Sequence, residues 1–292
     1  MSKFGIINFE KKEQEIEPEP KKFRAFLFSK FKQEREIGIR YMPLNYKEGE
    51  GFCITIEEDF SCINEEDWGN IEETLINQNI LHIAKPNNVP NLPFERIEIY
   101  NGYRMNALLC GHLWGYINKY RLIHKKGVYA QVGIIDGDIN ATLNAVGTLM
   151  DKVLNLTIFT STPEAYKDTV VRVYQAEKIY IKLMYPNARA ISEMDIVFDL
   201  SANPEYIRFS KATAIFICLV PPRYKPKPKE LSPRIWYSFD IIWQKDIVST
   251  QLFEAILMAE GYTKGILRRK MDTFDIKIRE VNTKYELTSL VE

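Results

Sequence analysis

Apolar runs and amphipathic stretches alternate along residues 127–245. Strands are predicted where roughly four to eight apolar residues run together, and helices where apolar residues recur at three- and four-residue spacing. The predicted strands are 128–135, 156–159, 179–184, 195–200, 213–220 and 235–243, and the predicted helices are 140–154 and 163–177. Thr162 is a candidate cap of the second helix, with Pro163 at its first position. Because strands alternate with helices, the segment is expected to form a mainly parallel sheet with right-handed crossovers.

Shorter apolar runs precede this domain in residues 23–101. The predicted strands there are 38–42, 52–56, 80–84 and 96–100. Asp67 or Asn70 is the candidate cap of a short helix between the second and third of them. Residues 1–22 are set apart as an N-terminal strand, near residues 4–7, followed by a charged linker that has almost nothing to bury. Residues 23–101 are therefore expected to form a small N-terminal α/β domain.

Two further segments complete the predicted architecture. Residues 102–126 form a connecting helix with one apolar face. Residues 246–292 contain a helix at 249–259 and a C-terminal strand at 273–281. The predicted fold class is α/β, with a small N-terminal α/β domain, a second domain built on a mainly parallel sheet, and a helix that returns after it.

The composition excludes several classes of protein. The 39 basic and 39 acidic side chains among the 292 residues give no net charge. A dedicated nucleic-acid binder is not expected, because it would need a basic surplus to engage phosphates. No run of eighteen apolar residues occurs, so no membrane span is expected. The start of the chain is too short and too soon charged for a signal peptide. A cytoplasmic location is expected, and the abundance of Ile, Lys, Asn and Tyr is typical of an AT-rich bacterial genome.

The four cysteines do not indicate a metal centre. Cys53, Cys62, Cys110 and Cys218 are scattered and form no CxxC pair, so neither a zinc site nor a redox pair is predicted. Free thiols in a reducing compartment are the expected state. Cys110 and His112 lie two residues apart on the connecting helix and so on different faces, which makes them a poor dyad.

The loop after the first strand of the second domain carries the clearest functional signal. A dinucleotide-binding strand leads into G-x-G-x-x-G, whose glycines make the tight turn, admit the pyrophosphate and let the helix pack on the strand. Here Gly137 holds the first position, whereas Ile139 and Thr142 hold the second and third. Ile139 is expected to project where the pyrophosphate lies, and Asp138 to repel phosphate. The helix amides that begin near Asn140 would still attract an anion.

The end of the second strand lacks the usual selector of the cofactor. An acidic residue there binds the adenosine ribose and an arginine binds a 2′-phosphate, but this chain has Thr160-Ser161-Thr162. The hydroxyl groups are candidates for a phosphate contact. The candidate cofactor-binding residues are Gly137, Asp138, Ile139, Asn140, Thr160, Ser161 and Thr162. The cofactor is NAD or NADP if the ancestral site is retained and is otherwise unknown, and neither a metal nor a catalytic residue is predicted.

Several stretches share their pattern with known proteins. They are the helix GYRMNALLCGHLWGYI, VGIIDGD at the first strand, NLTIFTSTPEAYKDTVVRVYQAE across the second strand and its helix, and MDIVFDLSAN at the fourth strand. Residues 103–200 thus resemble the Rossmann domains of the shikimate dehydrogenase and glutamyl-tRNA reductase group. VSTQLFEAILMAEGYTKG is similar to the helix that returns to the first domain in shikimate dehydrogenases. The resemblance implies a substrate domain, then an NAD(P)-binding Rossmann-like domain, in a degenerate member of the group.

The functional residues of that group do not carry over. Shikimate dehydrogenases use a Lys and an Asp that face the nicotinamide, and Lys47 in MPLNYKEG matches the lysine motif only in part. Glutamyl-tRNA reductases use a nucleophilic Cys in the first domain, and neither Cys53 nor Cys62 has the surrounding motif. The resemblance therefore assigns no catalytic residue.

Three other features are weighed as sites. His82 ends an apolar strand next to the expected cleft and is either a general acid or base or, more commonly, a structural histidine. Residues 221–234 form a Pro-rich basic loop, which either binds an anionic partner or an SH3-like groove, or is simply solvated. The aromatic residues between 236 and 243 are interpreted as packing within the sheet and between domains.

Three functions stay open. The first is a non-enzymatic binding or scaffold protein on a dehydrogenase-like two-domain frame with a degraded dinucleotide loop. The second is an NAD(P)-dependent oxidoreductase of the shikimate dehydrogenase-like type with an atypical cofactor loop. The third is a binder of another ligand in the cleft between the domains, near His82, Lys47 or Arg104. A small molecule or a protein is the expected partner, and assembly as a homo-oligomer stays open.

Overall fold

A computed structural model of the chain describes residues 2–10, 37–47, 49–86, 89–123, 129–225 and 233–283. Within these ranges the protein is an α/β fold with mainly parallel sheets, which confirms the predicted fold class. The predicted charged linker beyond residue 10 and the middle of the predicted basic loop, at 226–232, lie outside the described residues.

The first sheet is built from the N-terminal strands of the chain. They are β1 (Lys3–Phe9), β2 (Ile39–Tyr46), β3 (Gly49–Ile56), β4 (Ile80–Ala84) and β5 (Glu98–Tyr100). Their order is β2-β3-β1-β4-β5, with β2 antiparallel to β3 and the other neighbours parallel. Phe4 and Ile7 of the central strand β1 are fully buried. The N-terminal strand is thus part of the first domain, whereas the prediction set residues 1–22 apart from it.

The helix of the first domain begins earlier than predicted. Helix α1 spans Glu65–Asn77, and its cap is Asn64, whose side chain accepts a hydrogen bond from the Asp67 amide at 2.9 Å. The Asp67 carboxylate in turn accepts from the Asn64 amide at 3.4 Å. This reciprocal pair is a capping box, so Asp67 lies inside the first turn and neither Asp67 nor Asn70 is the cap.

The predicted single connecting helix is two helices. Helix α2 spans Tyr103–Leu108 and helix α3 spans Cys110–Lys119. Leu109 separates them, because its backbone (φ −91°, ψ 2°) leaves the helical region. Leu109 and Leu113 are fully buried, so the apolar face that predicted the helix does face the core.

The second sheet has the strand order of a dinucleotide-binding fold. Its elements are β6 (Gln131–Ile135), α4 (Ile139–Leu149), β7 (Asn155–Phe159), α5 (Glu164–Glu177), β8 (Ile181–Met184), α6 (Ala188–Ser192), β9 (Ile196–Asp199), β10 (Ile215–Cys218) and β11 (Arg234–Trp236). The order is β8-β7-β6-β9-β10-β11, and all neighbours are parallel. Counted along the chain this is 3-2-1-4-5-6, so the strand order reverses between β6 and β9, where such folds have their ligand crevice.

The predicted strand at 235–243 is two strands in two sheets. Strand β11 pairs in parallel with β10, whereas β12 (Ser238–Trp243) pairs antiparallel with β13 (Asp246–Ser249) and β14 (Lys277–Asn282). Tyr237 lies between them, and its amide donates to the Asn282 carbonyl at 2.8 Å. The parallel sheet therefore ends at Trp236, and the predicted domain boundary at 245 falls inside the third sheet.

A buried helix joins the two domains. Helix α7 spans Thr250–Ala259, so Ser249, the first residue of the predicted helix, is its cap. The helix packs on β1 and β4. It shares one apolar core with Phe4 of the first sheet and Ile134 of the second. Helix α8 (Lys264–Lys270) follows it. None of the described helices is long and apolar enough to cross a membrane.

Candidate functional site

The predicted cofactor loop lies on the surface at the carboxyl end of β6. Gly137, Asp138, Ile139 and Asn140 are all exposed, and α4 begins at Ile139. These four residues lie together at the N-terminus of α4. The Ile139 side chain is 45% exposed, so it projects from the helix end into solvent and not into the core.

Asp138 caps this helix. Its carboxylate accepts a hydrogen bond from the Ala141 amide at 2.9 Å. Thr142, at the predicted third glycine position, is buried. Its hydroxyl donates to the Asp138 carbonyl at 3.0 Å and accepts from the Gly137 amide at 3.4 Å. The side chains of the loop thus satisfy backbone groups at the helix end, where a phosphate would otherwise lie.

Replacement of Asp138 tests the cap. Asp138→Ala is expected to lower the free energy of unfolding by about 1 kcal/mol, because it removes an N-cap acceptor. Asp138→Asn is expected to be nearly neutral, since its side-chain oxygen still accepts from Ala141. Urea denaturation of both variants measures the difference, and equal losses for Ala and Asn would contradict the cap.

Gly137 is required by the approach of another strand. A methyl group at this position would lie 2.1 Å from the carbonyl oxygen of Leu200 and 2.8 Å from its carbonyl carbon. Leu200 follows β9, and its amide donates to the Ile135 carbonyl at 3.0 Å. The loop therefore lies directly on the end of β9, at the point where the strand order reverses.

The residues at the end of β7 face the same loop. The Thr160 hydroxyl donates to the Asp136 carboxylate, and Thr160 is fully buried. Burial raises the pKa of Asp136, although hydrogen bonds from Thr160 and Tyr166 lower it. Ser161 and Thr162 are exposed. Thr160 thus binds a protein carboxylate, and the predicted group of three hydroxyls is divided between the interior and the surface.

The start of α5 also differs from the prediction. Pro163 is the residue before the helix and not its first residue, and no side chain caps the helix. Thr162 lies two residues before the first residue of the helix, and its amide donates to the Thr160 hydroxyl at 2.9 Å.

Asp199 is a buried carboxyl group that sequence reasoning missed. It ends β9, is fully buried, and its Oδ1 accepts from the Ser201 amide at 2.9 Å and from the Ser201 hydroxyl at 2.6 Å. Its Oδ2 has no hydrogen-bond partner within the described ranges. Burial raises the pKa of Asp199 to about 7, against the hydrogen bonds from Ser201, which lower it. An acidic residue at the end of an otherwise apolar strand was the signal that could have found it.

A cavity of about 250 Å³ lies in the cleft where the three sheets meet. Ile6 of β1 and Pro86, which follows β4, line it on one side, and Pro221, which follows β10, lines it on the other. The remaining wall comes from α2, β12 and the first turn of α7. This cavity, called the cleft cavity below, therefore lies at the carboxyl ends of strands from both domains, where open α/β sheets bind ligands.

The other predicted candidates lie elsewhere. His82 Nδ1 is 3.0 Å from the hydroxyl of Tyr100, which donates to Glu98. Burial lowers the pKa of His82, although Glu98 opposes this. Arg104 lies 3.6 Å from buried Glu254, and Lys47 lines a separate surface cavity. None of His82, Arg104 and Lys47 is among the residues that line the cleft cavity.

Two of the four thiols are buried in the core. Cys110 is buried and donates to the Asn106 carbonyl at 3.6 Å, and burial raises its pKa. Cys218 is also buried, whereas Cys62 is exposed. Within the described ranges no three His, Cys, Asp or Glu side chains are arranged to hold a metal ion.

Comparison with known proteins gives matches of structure only. No protein family matches the chain by sequence, and no curated protein matches it. One similar structure is ligand-free 5-ketofructose reductase of Gluconobacter sp. strain CHM43, at 10% identity over 76% of this chain and 87% of that one, with a TM-score of 0.36. Another is a shikimate 5-dehydrogenase-like protein, at 13% identity over 56% and 65%, with a TM-score of 0.26.

A third similar structure is Thermococcus litoralis Δ1-pyrroline-2-carboxylate reductase in complex with NADH and L-proline. Its identity is 8% over 39% of this chain and 36% of that one, with a TM-score of 0.28. The matches span about a third to a half of the first matched structures' own lengths. The neighbours are dehydrogenase-like proteins. The likeness is one of fold and names no ligand for this chain.

Proposed function

We propose that this chain is a non-enzymatic binding protein on a dehydrogenase-like frame, whose ancestral dinucleotide site holds no NAD or NADP. The observation that carries the proposal is the Asp138 carboxylate on the Ala141 amide, 2.9 Å apart, at the N-terminus of α4. In dinucleotide-binding folds the pyrophosphate lies at this helix end. Here the Asp138 side chain accepts the hydrogen bond of a helix amide that a phosphate could otherwise accept.

The charge of the loop also opposes a dinucleotide. Asp136 and Asp138 lie on either side of Gly137, so a bound pyrophosphate would meet carboxylates at the helix end. Two like unit charges about 4 Å apart repel by about 1 kcal/mol in water and about 4 kcal/mol near a protein surface. The loop offers no Lys or Arg to offset this repulsion.

The end of β7 supports the same conclusion. A dinucleotide needs a group there that binds the ribose or its phosphate. Thr160 is buried against Asp136, and the exposed Ser161 and Thr162 carry no charge. Neither NAD nor NADP therefore finds its usual selector.

The alternative function is an NAD(P)-dependent oxidoreductase with an atypical loop. The strand order 3-2-1-4-5-6 favours it, because this is the order of dinucleotide-binding folds. Because the loop residues are exposed, in this alternative the cofactor would bind on the surface at the N-terminus of α4.

Thermal-shift titration separates the two functions. The purified chain is melted with NAD, NADH, NADP or NADPH at concentrations up to several millimolar. A ligand that binds only the folded state raises the melting temperature as its concentration passes the Kd. We expect no change with any of the four, and a saturable rise with one of them would overturn the proposal.

The matched variant is Asp138→Asn, which keeps the cap acceptor and removes the charge. A cofactor response in this variant alone would attribute the exclusion to the carboxylate charge. No thermal shift in either protein would attribute the exclusion of the cofactor to the shape of the loop, where Gly137 lies on Leu200. A known NAD-dependent dehydrogenase in the same plate confirms that the assay detects binding.

A further inference from the structure

The wall of the cleft cavity is rich in hydroxyl and amide groups. Ser238 of β12, Ser249 and Thr250 at the start of α7, and Asn106 of α2 all line it. A hydroxyl both donates and accepts hydrogen bonds, and a side-chain amide offers a donor and an acceptor. Such a wall is complementary to a ligand whose own groups both donate and accept.

The charge of the described part of this wall favours neutral over anionic ligands. None of the described residues that line the cavity is Lys, Arg or His, and these are the side chains that bind carboxylates and phosphates strongly. Asp240 lines it and carries a negative charge. Strand alternation places Asp240 on the same face of β12 as Ser238, while Phe239 between them is buried. A carboxylate accepts about four hydrogen bonds, so Asp240 can accept from ligand hydroxyls beside its interactions within the protein.

Asn106 is fixed at the wall with one group unused. Its Nδ2 donates to the Leu219 carbonyl at 2.8 Å, which sets the orientation of the amide. Its Oδ1 is buried and accepts no hydrogen bond within the described ranges. A buried acceptor without a partner calls for an explanation, such as a bound group that donates to it.

We infer that the cleft cavity binds a small, uncharged polyhydroxy molecule of the sugar or sugar-alcohol class. Its hydroxyl groups would donate to Asp240 and Asn106 and exchange hydrogen bonds with Ser238, Ser249 and Thr250. The volume of about 250 Å³ lies below the range of roughly 300–1,000 Å³ for pockets that bind drug-sized ligands. A cavity of this volume suits a smaller molecule, such as a single sugar or sugar alcohol. The inference rests on the proposed function, because a protein without a dinucleotide would use its cleft for binding.

Saturation-transfer difference NMR on the full chain tests the inference. The probes are D-sorbitol, D-fructose and myo-inositol, with gluconate as an anionic and glucosamine as a cationic counterpart. This readout is chosen over thermal shift, because polyols raise stability non-specifically through exclusion from the protein surface. We expect a saturable signal from at least one neutral probe at millimolar concentration, and weaker binding of gluconate.

Two variants locate the binding. Asp240→Asn removes the charge of an exposed side chain and is expected to raise the Kd of the neutral probe at least fivefold. Asp246→Asn alters an equally exposed carboxylate on β13, outside the cleft cavity, and is expected to change nothing. The inference is overturned if no neutral probe gives a saturable signal, if gluconate binds more tightly than sorbitol, or if Asp240→Asn leaves the binding unchanged.

The outcomes separate this inference from the proposal on which it rests. No NMR signal from any polyol, together with no thermal shift with NADH, would overturn the ligand assignment and leave the proposed function standing. A saturable response to NADH would overturn the proposed function, whatever the polyols do.

Discussion

Gly137→Ala is expected to lower the free energy of unfolding by about 3 kcal/mol. The added methyl group would lie 2.1 Å from the Leu200 carbonyl oxygen, which no real contact tolerates, and forced overpacking costs about 1–3 kcal/mol or more. Leu200 cannot move away freely, because its amide is bonded to Ile135 in the neighbouring strand. Urea denaturation of the variant and of the natural chain measures the loss.

The same substitution at Gly69 is the matched control. Gly69 is exposed within α1, and a methyl group there would meet nothing within 4 Å. Gly69→Ala is expected to raise the free energy of unfolding by about 0.5–1 kcal/mol, because alanine favours the helix. If Gly137→Ala were as well tolerated as Gly69→Ala, the close approach of the loop to β9 would be contradicted. The glycine would then have to be explained by a ligand.

Asp199→Asn is expected to change the dependence of stability on pH. Burial raises the pKa of Asp199 from its ordinary value of 3.8 to about 7 in the folded chain. Between these values the folded state holds a proton that the unfolded chain has released. The free energy of unfolding therefore falls as the pH rises from about 4 to about 7, and is level above that. Asparagine does not titrate in this range, so the free energy of unfolding of the variant lacks this decrease.

The free energy of unfolding of Asp199→Asn, relative to that of the natural chain, should thus be higher at pH 8 than at pH 4. The upper limit of this difference is about 4 kcal/mol, from about 1.4 kcal/mol per pH unit over the interval of the pKa shift. Urea denaturation at both pH values measures it. A second variant, Ser201→Ala, removes a hydroxyl that stabilises the charged form, so its stability should fall through a range that extends to higher pH. An equal effect of Asp199→Asn at both pH values would contradict the buried carboxyl group.

The alternation of the second domain could be predicted because each element is specified locally. Helix α5 and strand β7 lie within one or two residues of their predicted bounds, since apolar spacing and breaks in the pattern act over a few residues. The central position of β1 in the first sheet could not be predicted. It depends on pairing with β3 and β4, which are distant in sequence, and pairing of this kind leaves no local pattern.

The change of sheet at Tyr237 was hidden for a related reason. Residues 234–243 keep the alternation of a strand on both sides of Tyr237, so their pattern reads as one strand. Only the partners differ, with β10 beside β11 and with β13 and β14 beside β12. Hydrogen-bond partners are a tertiary property, which the apolar pattern does not record.

The candidate site divides in the same way. The cluster of Gly137, Asp138, Ile139 and Asn140 at a helix N-terminus could be predicted, because a strand, a short loop and a helix follow one another. The reason for Gly137 could not, because it depends on Leu200, which lies far along the chain. A cleft between the domains could be expected, but the residues that line the cleft cavity could not be predicted, since its wall combines residues from all three sheets.

The most direct test of the closed dinucleotide site is an NMR titration of the ¹⁵N-labelled chain with NADH. The backbone amides of Gly137, Ile139, Asn140 and Ala141 report on the helix end where the pyrophosphate would lie. We expect that these signals do not move at millimolar NADH. A saturable shift of the same four amides would place a dinucleotide at α4 and contradict this expectation.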